Sequence, residues 1–415
     1  MRWFEDGRLR FAVGIEDTFV PQEYPGRRRL DEYELTQHYH LWHDDLGLAS
    51  ATGAEMIRWG IPWYRVEPEP GRFRWDWLDR VVDRLAELGL TCVVDLMHYG
   101  TPAWLDNQFL NAGYPARVAE YGTRVAERYR DRLHVWTPLN EPTINAIYCG
   151  ENGTWPPALT GHDGFVKLAT AIARGITATQ RGIAAVQPEA SFVHVEASFR
   201  YAGDWFPFDP DLIRQRRYLI MDLVTGAVDD RHPLYGYLRE HGVGDDELAR
   251  LRDTAVTPDV VGVNYYPAFT TSRFEPGSTT PIPVEAGTMG LEELLREFAG
   301  RYARPLFVTE TSRAGTAEQR VAWLRDSVAL VHRLRAEGVP IAGYTWWPLF
   351  ALVDWLYRES TDPVERWLVP MGLYDLEPDG SGVLRRVPTA AVAEFQRLAG
   401  VRPPASPRST HRANG

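Results

Sequence analysis

A chain of 415 residues, 44% hydrophobic and 12% aromatic, has apolar mass for one large α/β barrel or for two average domains. Its net charge of −11 argues against binding nucleic acid or an anionic membrane through bulk electrostatics, because those surfaces need clustered Lys and Arg. Lys167 is the only lysine, an arginine-for-lysine bias that carries no functional conclusion, while fifteen tryptophans are more than packing alone usually needs, so that some are expected to face ligand, the alternative being that most are core.

The N-terminal run Met1-Arg2-Trp3-Phe4-Glu5-Asp6 lacks the apolar core of a signal peptide, and no stretch approaches a membrane span. A cytoplasmic location is therefore expected. Eight short apolar runs follow in order: Leu9 to Ile15, Met56 to Trp63, Thr91 to Met97, Leu133 to Leu139, Ser191 to Glu196, Val260 to Tyr265, Pro305 to Thr309 and Ile341 to Trp346. Each leads into a helical pattern or a polar loop, which predicts a single (β/α)8 TIM barrel. The spacing predicts a helix over Trp77 to Leu88, with Leu78, Val81, Val82, Leu85 and Leu88 on one face and Gly89 as its stop. A second runs from about Ala317 to Glu337 and is ended by Gly338-Val339-Pro340.

Three long irregular segments, Asp17 to Glu34, Ala268 to Gly290 and Val353 to Val369, fall on the C-terminal rim and are expected to wall a pocket. Residues 1–400 read as one catalytic barrel, and the Pro/Ser-rich stretch 401–415 as a disordered tail. Cys92 and Cys149 lack metal-ligand spacing and read as free thiols. His38, His40, His43, Asp44 and Asp45 resemble a metal cluster in composition, but packing at a helix entry is the favoured reading, and no metal or cofactor is expected. Oligomeric state is not set by the sequence.

Two glutamates carry the chemistry. Glu141, in Thr137-Pro138-Leu139-Asn140-Glu141-Pro142, and Glu310, in Phe307-Val308-Thr309-Glu310-Thr311, each end an apolar run, so both carboxylates belong on the rim where α/β barrels keep their active sites. A pair of carboxyls is what glycoside cleavage requires: one protonates the leaving oxygen, the other attacks or stabilises the oxocarbenium-like centre.

The order of several motifs resembles glycoside hydrolase family 1, the retaining β-glucosidases and β-glycosidases of clan A. They are Gln37 to Asp45, Arg58 to Pro68, Leu96 to Pro102, Asn140-Glu141-Pro142, Asn264-Tyr265-Tyr266, Thr309-Glu310, Gly343 to Leu349 with Asp354-Trp355, and Met371 to Asp375. The resemblance spans Leu9 to Leu398. It implies a small-molecule β-glycoside or oligosaccharide substrate, with Glu141 as acid/base and Glu310 as nucleophile. Arg58 and Tyr266 would hold the nucleophile, with Asn264 in the same supporting set, and Asn140 would donate to the hydroxyl beside the anomeric carbon. His98, Tyr99, Trp347, Asp354 and Trp355 would bind the sugar.

The sequence departs from the family where a glutamine is usual after the first strand, since Gly14-Ile15-Glu16-Asp17-Thr18-Phe19 has none. Tyr99 stands for the usual tryptophan and Asp354 for the usual glutamate. Glu16 or Asp17 is expected to replace the glutamine and make an acidic pocket suited to an amino or deoxy sugar. The phospho-sugar branch is disfavoured, because the last loop has no lysine and Arg358 is the cation that would have to substitute. Transglycosylation and a silent sugar-binding barrel are the alternative readings.

Overall fold

All eight apolar runs form strands, and these close on themselves. In the computed structural model, which describes residues 2–401, the barrel strands are β1 (Arg10–Gly14), β2 (Met56–Gly60), β3 (Thr91–Asp95), β4 (Val135–Thr137), β5 (Ser191–Glu196), β6 (Val260–Asn264), β7 (Leu306–Thr311) and β8 (Ile341–Trp346). Neighbours in sequence are neighbours in the barrel, β8 pairs back onto β1, and every pairing is parallel. The strands are buried on both faces, which is why they read as continuous apolar runs rather than alternating ones.

Inside the barrel, Ala12, Met56, Val93, Val135, Val193, Val195, Val260 and Phe307 fill the floor, and Trp3 and Phe4 pack against them. The Trp3 ring meets Phe307 edge-on at 5.6 Å, so the N-terminal segment plugs one end while the other stays free for chemistry. Outside, the principal helices include α1 (His38–Ala51), α2 (Asp76–Glu87), α3 (Tyr114–Arg128), α4 (Gly161–Val186), α5 (Asp245–Asp253), α6 (Gly287–Tyr302), α7 (Ala317–Ala336) and α8 (Ala390–Leu398). The α2 stripe of Leu78, Val81, Val82 and Leu85 is buried as its spacing requires. Helix α7 starts with a capping box in which Thr316 and Gln319 satisfy each other's backbone N–H groups.

The three rim segments are less irregular than expected. Phe19–Val20 pairs with Leu30–Asp31, Leu352–Val353 with Leu368–Val369, and Thr271–Arg273 lies between Ile282–Pro283 and Arg200–Ala202. Extended backbone leaving a barrel must pair its N–H and C=O groups, and two- or three-residue ladders do so without any periodic signal in the sequence. The expected tail 402–415 lies outside the described residues.

The histidine-rich stretch does not converge. His38 is buried, with Nδ1 2.8 Å from Asp45 and Nε2 accepting from Trp59, while His40, His43 and Asp44 are exposed on α1. Cys92 and Cys149 are separate buried thiols. Among the described residues no helix is long and apolar enough to cross a membrane.

Candidate active site

The ends of β4 and β7 aim the two glutamates at one cavity. Glu141 adopts a left-handed backbone conformation, φ 42°, between the strand and the one-turn helix Pro142–Asn145, an arrangement uncommon for a residue with a Cβ. On β7 the register shifts after Val308 with both neighbours, before Glu310 against β6 and before Thr311 against β8, an irregularity that re-aims the side chain at the strand end.

Arg58, in the middle of β2 and with no exposed surface, organises what lies between them. One terminal nitrogen donates to Glu310 Oε1 at 2.7 Å and to the Thr309 carbonyl at 3.2 Å; the other donates to Asp95 Oδ2 at 2.6 Å and to Asn140 Oδ1 at 2.9 Å. Tyr266 donates to the second oxygen of Glu310 at 2.7 Å. Glu141 is held differently: Oε1 accepts from Asn264 Nδ2 at 2.8 Å, and Oε2 accepts from the hydroxyl of Tyr99. Asn264 is in turn oriented by Thr309, whose hydroxyl donates to its Oδ1 at 2.6 Å.

A third group lies beneath. His98 Nδ1 is 2.5 Å from Asp17 and 3.6 Å from Asp95, and these three residues could in principle meet a metal ion. The donor set opposes that. With Asn140 Oδ1 taken by Arg58, its Nδ2 faces His98 Nε2 at 2.8 Å, so Nε2 accepts and the ring proton sits on Nδ1 between the two aspartates. A protonated nitrogen and a guanidinium on Asp95 leave no ligand set for a cation. Burial opposes charge on the imidazole while Asp17 and Asp95 favour it, and because Nε2 faces an amide nitrogen that can only donate, the ring is held neutral; burial pushes Asp17 up to about 7.

Burial raises both glutamates, and their contacts separate them. Burial pushes Glu141 up to about 8, with Glu310 adding to the shift and Tyr99 and Asn264 opposing it. Glu310 is raised by burial too, but Arg58 and Tyr266, both in contact with it, favour its charged form. Of the pair, the one with a guanidinium in contact keeps the negative charge.

The cavity encloses about 480 Å³. Glu16, His98, Tyr99, Glu141, Tyr266, Glu310, Asp354 and Trp355 reach its wall. Arg58, Asn140, Asn264, Asp17 and Trp347 are absent from that lining and stand behind it. Of the two candidates for the missing glutamine, Glu16 is the one on the wall; Oε1 accepts from Thr18 and Oε2 from Trp347 Nε1 at 2.8 Å. Trp347 is a support: its ring stacks on His98 at 5.6 Å and carries Arg58 at 4.5 Å. Asp354 accepts from the Leu356 N–H at 2.9 Å and lines the cavity. Arg358 reaches the cavity wall and gives its terminal nitrogens to the carbonyls of Val20, Gln22 and Arg28.

Sequence reasoning missed several residues. Asp95 ends an apolar strand run as Glu141 and Glu310 do, and that signal could have found it. Tyr148, Trp155, Phe269 and Leu356 also line the cavity, on loops and short helical turns too brief to leave a pattern.

With this geometry in place, the chain compares with known proteins as follows. The family model described as glycosyl hydrolase family 1 matches residues 2–215. The aryl-phospho-beta-D-glucosidase BglA of Bacillus subtilis is 25% identical, across 90% of this chain and 86% of its own length. The bifunctional beta-D-glucosidase/beta-D-fucosidase of Bifidobacterium breve is 27% identical, across 78% of this chain and 81% of its own. The solved family 1 b-glucosidase of Thermotoga maritima shares the fold, with a TM-score of 0.78 at 19% identity over 95% of this chain and 97% of that one.

Proposed function

The chain belongs to glycosyl hydrolase family 1, and from that premise we propose that it is a retaining β-glycosidase acting on a terminal β-linked sugar. The observation that carries this reading is the unequal environment of two carboxyls on one cavity. Glu310 touches a buried guanidinium and a phenol O–H, whereas Glu141 touches only neutral donors and is pushed to about 8. An ionised nucleophile and a protonated acid are what the first step needs.

In that step Glu310 attacks the anomeric carbon and Glu141 gives its proton to the departing glycosidic oxygen. The C–O bond to the aglycone breaks as the ester to Glu310 forms. Esterification removes the negative charge of Glu310, and Glu141, now ionised, takes a proton from water as that water attacks the same carbon. The ester bond breaks, the sugar leaves with its original configuration, and both carboxyls return to their starting states. Relatives named as beta-glucosidases and a beta-glucosidase/beta-fucosidase, and a structural neighbour in complex with deoxynojirimycin, support a sugar-sized glycone in the corresponding cavity.

Glu16 and Asp354 give the glycone wall two carboxylates held by neutral donors, which supports a glycone richer in donor groups than glucose, an amino sugar above all. Proton NMR of the first sugar released from a nitrophenyl β-glycoside tests the reaction class. Retention predicts the β-anomer before mutarotation; an α-anomer as first product is incompatible with the proposal.

A further inference from the structure

Tyr99 is wedged among His98, Trp155 and Trp355, with ring centroids at 4.5, 5.2 and 5.6 Å, and only 1% of it is exposed. Its hydroxyl has two fixed neighbours. It accepts from Asn140 Nδ2 at 3.0 Å and meets Oε2 of Glu141. The direction of that second bond follows from the first: Asn140 Oδ1 is held by Arg58, its amide nitrogen can only donate, and the phenol hydrogen is left for Glu141. A circuit therefore runs from Glu310 through Arg58, Asn140 and Tyr99 to Glu141.

We propose that Tyr99 is a positioning residue for the general acid: its O–H occupies one lone pair of Glu141 Oε2, as Asn264 occupies one of Oε1, so the acidic proton is carried on the side of the carboxyl that faces the cavity. The proposal rests on the reading of Glu141 given above. A donor to the carboxylate also favours its charged form, so Tyr99 keeps the acid readier to release its proton than burial beside Glu310 would leave it. The other titratable groups facing Glu141 are Glu310 at the end of β7, His98 beyond β3, Tyr148 on the turn after Glu141 and Tyr266 beyond β6. Tyr99 alone among the phenols donates to it in the described residues.

The test is Tyr99→Phe, which keeps the ring against Trp155 and Trp355. The measured quantity is kcat/KM, because it reports formation of the glycosyl-enzyme only. For a methyl glycoside, whose leaving group needs a proton, kcat/KM falls at least about tenfold. For a dinitrophenyl glycoside, which leaves as a stable anion, the fall is at least about threefold smaller, and with the methyl glycoside the alkaline limb of kcat/KM rises by about one pH unit. Equal losses on both substrates, or an unmoved limb, overturn the proposal. Incorporation of 3-fluorotyrosine at position 99 keeps the shape, strengthens the donor and moves the limb downward; an upward shift overturns it.

Turnover is not required for one readout. The 13C carboxyl resonance of Glu141, assigned by its loss in Glu141→Gln, titrates higher in Tyr99→Phe than in the wild type. Equal midpoints overturn the proposal even where the glycosidase reading stands. Absence of turnover with separated midpoints sinks the glycosidase reading alone.

Discussion

The indole N–H of Trp347 donates to Oε2 of Glu16 at 2.8 Å, joining the residue after β8 to the segment after its neighbour β1 at the barrel mouth. This bond decides which of two adjacent acids faces substrate, because the same turn sends Asp17 inward to His98. Glu16→Gln keeps an oxygen for the indole, removes the charge and turns an amide NH2 toward Thr18. It is expected to cost an amino-sugar nitrophenyl glycoside at least about tenfold in kcat/KM and the plain glucoside less than about threefold. Steady-state comparison of the glucoside, fucoside and amino-sugar analogues checks this, and clear preference of the wild type for plain glucose or galactose removes the amino-sugar reading.

Gly14 makes the seat of Trp347 possible, since a Cβ there would lie 1.9 Å from a ring carbon. Gly14→Ala must push a fully buried indole aside, at a cost of about 1–3 kcal/mol. Calorimetry should show a lower Tm, and kcat/KM should fall as the ring beneath Arg58 and His98 moves. An unchanged Tm with full activity contradicts the packing described.

Arg58→Lys retains a positive charge, but one ammonium cannot serve Glu310, Asp95, Asn140 and the Thr309 carbonyl together. Its kcat/KM is expected to fall at least about 100-fold even with a dinitrophenyl leaving group, since the loss falls on the nucleophile rather than the acid. A loss limited to poor leaving groups would mean that the guanidinium serves Glu141 instead.

The pH dependence follows from Glu141, whose midpoint of about 8 lies above the ordinary 4.5. Activity requires its proton, so kcat/KM declines as pH rises through that region. Stability moves the same way. Below 4.5 both folded and unfolded chains hold the proton; between 4.5 and 8 the unfolded chain releases it while the fold retains it; above 8 the full penalty is present. Glu141→Gln removes the penalty, so its Tm exceeds that of the wild type at pH 8 and matches it at pH 4. A Tm gain of equal size at both values excludes ionisation as its cause.

The barrel was legible because parallel strands buried on both faces leave unbroken apolar runs, and an acid closing such a run has few structural uses. That logic found Glu141 and Glu310 and would have found Asp95. It could not choose between Glu16 and Asp17, because β1 ends at Gly14 and no strand alternation phases the residues beyond it. Nor could it place the hydroxyl of Tyr99, which depends on an amide orientation fixed by Arg58 from another strand. The short rim ladders escaped for a simpler reason: two paired residues have no period.

The central claim is that Glu310 becomes covalently bound to the sugar. Intact-protein mass after incubation with a panel of 2-deoxy-2-fluoro glycosyl fluorides tests it directly, comparing wild type with Glu310→Gln. The account predicts one glycosyl adduct on the wild type, mapped to the peptide containing Glu310 and missing from the variant. An adduct that persists in the variant, or an unmodified wild type that still turns over the parent glycosides, would contradict it.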